Sequence, residues 1–267
     1  MIRRLILSAI MMTAILAVIT GLIYPFAVWG IGQEVFPYRA NGSMITYHGH
    51  VVGSALIGQN FLDKDGNPSP LYFQGRPSDA VNSYDARQSG ASNLGPGDPR
   101  LVGFIPGLNT VDLSGNPSTT NPFATAADPY CVPTDASTGD PVISPSPGQK
   151  YAKDKDGSYG CDGNTVPERA IAYRQFNDLA ANAIVPVDAV TASASGLDPD
   201  ISVANADLQA PRVAKARHIA VASVLALVAE HTDTPTLGFL GEKTVNVLDL
   251  NLALDEISTS ALGPTGS

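Results

Sequence analysis

The sequence predicts an α+β protein: a single N-terminal transmembrane helix, then one mixed α/β extracytoplasmic domain with a long irregular insertion. Three observations predict it. No charged side chain lies between Leu5 and Gln33. Short β-branched runs and longer helical patterns flank the middle of the chain. Between them, residues 103–165 are crowded with Pro, Gly, Ser, Thr, Asn and Asp. The expected division is an anchor over residues 1–35 and a soluble domain over 36–267, interrupted by the 103–165 insertion.

The anchor follows from transfer energetics. Leu5–Tyr24 is nearly all apolar, and at 1.5 Å per residue about 20 residues cross a hydrocarbon layer of roughly 30 Å. A dozen Leu, Ile, Val and Phe side chains lie between Leu5 and Val28; at about −0.5 kcal/mol each they favour insertion by several kcal/mol. Tyr24, Pro25 and Trp29 follow, as in a helix leaving the bilayer through an aromatic belt. A cleaved signal peptide is the competing reading, but its shorter apolar core would end at a small-x-small site. Here the run is longer and ends in Ile23-Tyr24-Pro25-Phe26. A buried helix of a soluble protein fits poorly, because this one is apolar on every face. Arg3 and Arg4 precede the span, and beyond it Arg39 stands alone until Lys64. The positive-inside rule then expects a single-pass protein of the cell membrane, N-terminus cytoplasmic and domain outside.

Past the anchor, Met44–Tyr47, Val51–Val52 and Ala55–Gly58 read as short strands broken at Gly49 and Gly53, and Asp63–Pro68 as a turn. Residues 75–99 read as ordered polar loop. Glu168–Ile184 is expected to be helical, with Ile171, Phe176 and Leu179 at helical spacing. Asp207–His231 is expected to form one helix: Val213, Ala216, Ala220, Val224, Leu227 and Val228 share a face, and Gln209, Arg212, Lys215 and Arg217 lie towards its start. Thr244–Leu254 alternates like a strand, with a phase slip at Val247–Leu248 that suggests a bulge or burial on both faces.

Composition narrows the functions. Of 267 residues 44% are hydrophobic and 15% charged, which excludes wholesale disorder. Sixteen basic against 25 acidic residues give a net charge of −9, a poor match to nucleic acid. Several motifs fail on geometry. Gly238-Phe239-Leu240-Gly241-Glu242-Lys243 has two residues between its glycines where a phosphate-binding loop has four, and Glu242 displaces the lysine; a strand-entry turn is expected. Ala192 stands where the nucleophile elbow around Ser193 and Ser195 needs Gly. Asp63-Lys64-Asp65-Gly66 and Asp154-Lys155-Asp156-Gly157 place Gly at the fourth position, not the sixth of a calcium loop. His48 and His50 read as a surface strand. No catalytic residue and no metal site is expected.

Both cysteines, Cys131 and Cys161, fall in the insertion. Outside the membrane they could form a disulfide closing about 31 residues, worth roughly 3–4 kcal/mol in the chain-entropy model; two unpaired thiols are the alternative. The polar stretch Tyr72–Ser78, Tyr84-Asp85 and Ser89–Pro96 could present backbone N–H groups to an anion, with Arg76 or Arg87 adding charge. It could equally be a loop whose Ser and Asn side chains satisfy its own backbone.

An ordered series of blocks resembles the KdpC family, the small subunits of Kdp high-affinity potassium-transporting P-type ATPases. The series runs through Thr20-Gly21-Leu22-Ile23-Tyr24-Pro25, Gly53–Phe61, Tyr72–Ser78, Ser89–Pro96, Pro186–Pro199, Leu237–Glu242 and Val245–Asp255. The resemblance implies a complex with a potassium-channel-like subunit, a P-type ATPase subunit and a small single-span subunit. Potassium would be carried, and ATP hydrolysed, by those partners. It implies that this chain, not catalytic by itself, acts as a catalytic chaperone that raises the ATP affinity of the ATPase subunit and stabilises assembly. By the same analogy ATP itself would lie near Ser89, Gly90, Ser92, Asn93 and Gly95, a loop likened to an ABC-type signature, here with Ala91 for its second glycine. The helix would pack on its partner through Ile15, Leu16, Gly21, Tyr24 and Pro25. A domain held outside does not meet cytosolic ATP, so the expected effect is indirect, transmitted through the helix and the channel subunit. The alternative is a stand-alone membrane-anchored solute-binding protein or hydrolase.

Overall fold

The computed structural model describes residues 2–78, 80, 84–93, 95, 135–137, 150–153 and 166–261, with 258–261 as backbone. The chain divides into two units, Met1–Leu56 and Ile57–Ser267. Cys131, Cys161, the Asp154–Gly157 turn and most of the insertion lie outside the described residues.

The first unit opens with one helix of 34 residues, Ile2–Val35, about 50 Å long at 1.5 Å per residue. It comprises α1 (Ile2–Val18), a single π-turn (Ile19–Ile23) and α2 (Tyr24–Val35), and none of its residues is buried. A short helix, α3 (Pro37–Ala40), leads into a hairpin of β1 (Met44–Tyr47) and β2 (His50–Ser54). Tyr47 pairs with His50, so the connection is the two residues His48 and Gly49, at φ 48° and 81°. Positive φ at both is the tight-turn geometry whose twist matches paired strands. Gly53, expected to break a strand, instead lies inside β2 opposite Ile45. Ala55–Gly58 is not a strand: Ala55 N–H donates to Ser43 O and Leu56 N–H to Ser54 Oγ, which turns the chain away.

In the second unit the Asp63 turn forms as expected, its Oδ1 accepting from Asp65 N–H and Asn67 N–H at 2.9 Å each. An antiparallel sheet runs in the order β3 (Asp200–Ser202), β5 (Thr244–Asn246), β4 (Thr232–Asp233). Against it pack α5 (Val203–Arg217), α6 (Val221–Glu230) and α7 (Val247–Ala261), and α4 (Val166–Phe176) precedes them in the chain. Phe73, Ile201, Val213, Val224, Val228, Val245, Leu250 and Leu254 form the core.

Three more expected elements are corrected. The helix at Glu168 ends at Phe176, not Ile184. Asp178 takes φ 54° and Leu179 N–H returns to Arg174 O; Asp tolerates this left-handed stop because its short side chain can bond locally. The helix expected over Asp207–His231 is two, α5 and α6. His218 breaks it at φ 57°, with its N–H on Ala214 O and Lys215 O, the backbone geometry of a C-terminal cap. The strand expected over Thr244–Leu254 stops at Asn246, where α7 begins. The phase slip was the change of period from two to 3.6: Val247, Leu250, Asn251 and Leu254 are all buried at helical spacing. Asn246 Oδ1 accepts from Asp249 N–H at 3.2 Å and caps the new helix. The Gly238 segment is a strand-entry turn, as expected: Thr236 and Leu240 exchange backbone hydrogen bonds at 3.0 Å.

Candidate functional site: the clamped polar loops

The segment Tyr72–Gln74 runs through the core without a neighbouring strand. Two side-chain amides stand in for one. Asn251 accepts from Phe73 N–H at 2.9 Å and donates to Phe73 O at 3.0 Å. Gln209 accepts from Gln74 N–H at 2.8 Å and donates to Gln74 O at 3.0 Å. Each amide pairs a donor and an acceptor with one residue's backbone, as a strand would.

Arg212 fixes the approach to this segment. Its Nη1 donates to Pro70 O at 2.7 Å and Tyr72 O at 3.1 Å, its Nε to Asn177 Oδ1 at 2.9 Å and its Nη2 to Gln209 Oε1 at 2.9 Å. The guanidinium lies over the Phe176 ring, 4.3 Å from its centre. These oxygens are all neutral, and burial lowers the Arg212 pKa to about 10. Asn205 extends the network to Tyr173 Oη, at 2.8 Å, and to Asp188, at 3.0 Å. Burial pushes the Tyr173 hydroxyl well above its ordinary pKa.

From this clamp the chain emerges into the polar loops. Arg76 Nη1 pairs with Asp198 Oδ2 at 3.0 Å, and its Nη2 donates to Thr191 O and Ala192 O at 3.3 Å each. Ser78 Oγ donates to Gly196 O at 2.6 Å and accepts from Tyr84 N–H at 3.1 Å. Tyr84 Oη donates to Arg76 O at 2.6 Å, and burial pushes its pKa up to about 12. Ser89 Oγ and Gly90 N–H both donate to Ser195 O, at 2.8 and 3.0 Å. Gly196 sits at φ 67° where a Cβ would lie 2.5 Å from Gly90 O and 2.8 Å from Ala80 N, so only glycine fits. The blocks 76–78, 84–93 and 191–198 therefore form one hydrogen-bonded platform.

Of the predicted loop residues, Ser89 and Gly90 reach this platform. Asn93 turns its amide onto Ala91 O at 3.1 Å, Ser92 is half-buried, and a Cβ on Gly95 would meet nothing within 4 Å. Arg87 pairs with its neighbour Asp85 and is 86% exposed. A cleft of about 360 Å³ flanks Arg76 on one side, lined by Gln59, Asn60, Tyr84, Arg169 and Tyr173. A second, of about 570 Å³, is lined by Arg76, Asp188, Asp198, Asp200, Glu242 and Lys243. Burial, then the charge of Asp198, raises the Asp200 carboxyl above its ordinary range. Ser193 and Ser195 stand 3.5 Å apart, hydroxyl to hydroxyl. Among the described residues no three His, Cys, Asp or Glu side chains gather to hold a metal.

On the helix, Ile15, Leu16 and Tyr24 are exposed within the chain, at 51%, 49% and 66%. Gly21 and Pro25 border one groove with Leu22, Phe26 and Trp29. The residues that sequence reasoning missed are Asn205, Gln209, Asn177 and Asn251. A signal existed, since Asn205 and Gln209 share a face of α5 with Val213, four residues apart each time.

One long apolar helix, a candidate membrane span, and a body whose polar side chains hold loops in place define a class of mixed helix-and-sheet protein. The comparison with known proteins gives the particular family. The family model for the K+-transporting ATPase c chain matches residues 6–153 and 162–256. The potassium-transporting ATPase KdpC subunit of Mycobacterium tuberculosis (strain ATCC 25618 / H37Rv) is 40% identical over 255 residues, spanning 96% of this chain and 100% of the relative. Those of Gemmatimonas aurantiaca and Variovorax paradoxus are 41% and 39% identical over 254 residues, spanning 95% of this chain and 93% and 96% of their own. The chain belongs to the KdpC family and is a subunit of a K+-transporting ATPase, which sets aside the stand-alone reading. The family match runs across 103–153, so most of the expected insertion lies within the matched range.

Proposed function

We propose that the chain is anchored with its N-terminus in the cytoplasm and its body outside, and that it acts on its ATPase as an indirect catalytic chaperone. The potassium-channel-like subunit, the P-type ATPase subunit and the small single-span subunit are its partners in this reading. The orientation rests on Arg3 and Arg4 preceding an uncharged span.

The observation that carries the indirect route is the direction of the loop's donors. Ser89 Oγ and Gly90 N–H point at Ser195 O, and Arg76 is held by Asp198. Ala91 adds a methyl where the likened motif has glycine. These residues do not fit a triphosphate cradle, which needs free N–H groups converging on the anion. ATP is therefore assigned to the ATPase subunit, and the platform to a shape that favours one state of the complex over another. Such coupling needs two states bound unequally.

Replacing Ser89, Ser92 and Asn93 together with Ala, in the assembled pump, is expected to raise the ATP concentration needed for half-maximal activity while assembly persists. An unchanged ATP titration with intact assembly removes this loop from the mechanism. For orientation, Cys131 and Cys161 are expected to react with a membrane-impermeant thiol reagent, after reduction, only from the outer side of sealed vesicles. Labelling from the cytoplasmic side overturns it.

A further inference from the structure

The hairpin of β4 and β5 ends in a turn that keeps three large apolar side chains out of the core. Leu237, Phe239 and Leu240 are 77%, 75% and 53% exposed, and no charged residue lies between Asp233 and Glu242. Burial does not account for them, and neither does turn chemistry. Leu237 and Gly238 take φ 57° and 80°. Where both central residues of a tight turn have positive φ, Asn-Gly or Gly-Gly is the favoured pair. A leucine there crowds its Cβ against the backbone and, exposed as it is, gains little packing in return. A residue that works against its own fold points to a role outside it. The backbone of the turn, by contrast, is closed on itself. Thr236 N–H donates to Leu240 O and Leu240 N–H to Thr236 O at 3.0 Å each, Gly238 N–H to Pro235 O at 2.8 Å, and Phe239 N–H to Thr236 O at 3.4 Å.

We propose, resting on the anchored reading above, that this turn dips into the lipid surface of the bilayer that holds the chain's own anchor. Leu237, Phe239 and Leu240 then lie among the outermost acyl carbons. The observations favour lipid as the occupant. Hydrocarbon takes apolar side chains of any shape but answers no backbone group, and the donors of Thr236, Gly238, Phe239 and Leu240 are already spent inside the turn. A protein strand pairing with the hairpin tip would need such donors free. Apolar and aromatic side chains together are what an interface-seated segment presents. Glu242 and Lys243 adjoin the turn with opposite charges, so attraction to anionic headgroups is not what draws it. The bilayer is also close along the chain: the body begins at Ile57, only α3 and the β1–β2 hairpin beyond the helix that ends at Val35.

The test uses the full chain in its assembled ATPase, reconstituted into phosphatidylcholine vesicles that carry a radiolabelled phospholipid. A photo-crosslinking residue replaces Leu240, in the turn, or Lys215, near the end of α5 far from β3. Position 240 is expected to take up labelled lipid about tenfold more than position 215, the ratio for one large apolar side chain moved out of water. Adding phosphatidylglycerol to the vesicles should leave that ratio unchanged. Leu237→Asn combined with Phe239→Asn is expected to lower the lipid adduct at position 240 about tenfold. Its melting temperature should not fall, since asparagine suits the positive φ at 237 and both side chains are exposed. Adducts of position 240 with another subunit or a second copy, equal lipid yields from 240 and 215, uptake only in the presence of phosphatidylglycerol, or a double variant that keeps its yield overturn the proposal. Release of the wild-type chain from the vesicles by carbonate overturns the anchored reading and the proposal with it. A chain that is retained but takes up no lipid at position 240 overturns the proposal alone.

Discussion

The helix Ile2–Val35 and the helix α5 of the body treat burial in opposite ways. No residue of the first is buried within the chain, although nearly every one is apolar. In the second, Asn205, Gln209 and Arg212 are 0%, 1% and 5% exposed, as deeply placed as Val213 at 0%. An apolar side chain accepts any apolar surroundings, so the long helix leaves its neighbours unnamed. A buried polar side chain accepts only partners in the right direction. The body is therefore specified residue by residue: each amide of its clamp answers one backbone donor and one acceptor. The family's separate sequence blocks meet because of that clamp, and the polar loops inherit their positions from it.

The sharpest way to break this contrast is Arg212→Met. It keeps the volume and takes the Arg212 donor from the Pro70 and Tyr72 carbonyls, Asn177 and Gln209, of which Gln209 and Tyr72 O keep a bond from Gln74. A loss of about 2–6 kcal/mol is expected, about 1–3 for each buried oxygen left unpaired, read as a lower urea midpoint of the purified chain. A loss below 1 kcal/mol, on the scale of an ordinary surface change, would show that the clamp does not hold the fold. In the helix the matching change is Leu16→Glu. A charge near the centre of a span costs about 2.5–3.5 kcal/mol, so membrane-integrated protein and recovered complex should fall together. Normal yield of complex would mean that this face does not meet hydrocarbon or a packed partner.

The smallest effect concerns Tyr84. Its folded pKa is about 12 against an ordinary 10.0, so above pH 10 the unfolded chain releases the proton first. The stability this hydroxyl contributes is complete below pH 10 and is lost as pH rises through about 12. Arg212, with its pKa lowered to about 10, runs the opposite way over the alkaline range. The comparison is therefore made between wild type and Tyr84→Phe, where Arg212 cancels. The wild type should melt higher at pH 9, by the worth of one hydrogen bond, about 1 kcal/mol, and that advantage should vanish towards pH 12. A difference that stays constant across this range would show that the Tyr84 hydroxyl is not buried as described.

Much of the first unit was legible in the sequence. The apolar span needs only a sum of transfer terms and the break at Gly49 only local chemistry. His48, read as part of a surface strand, instead lies in the tight turn, because its positive φ closes the hairpin. In the second unit the Asp63–Asn67 turn is local in the same way. The second unit was legible in its motifs and in the existence of its helices, less so in their ends. His218 is not a customary helix breaker, and the Leu248, Leu250, Leu252 and Leu254 series satisfies a strand's period and part of a helix's at once. Asn246 as a cap and Asn251 against Phe73 decided for the helix, and neither role can be seen without the tertiary contact. The loop around Ser89 was recognisable as polar and glycine-rich, yet two readings of it stood open. Its donors choose Ser195 O, a group 106 positions away.

By itself, then, the sequence determined the long apolar span, most of the turns, the apolar stripes of the helices and the family, because each depends on neighbours within a few positions or on ordered motifs. Only the tertiary structure decided which polar side chains become core and where the helices stop. The physical reason is that a hydrogen bond must be satisfied in a particular direction, and for Gln74 and Phe73 the satisfying groups lie 135 and 178 positions along the chain.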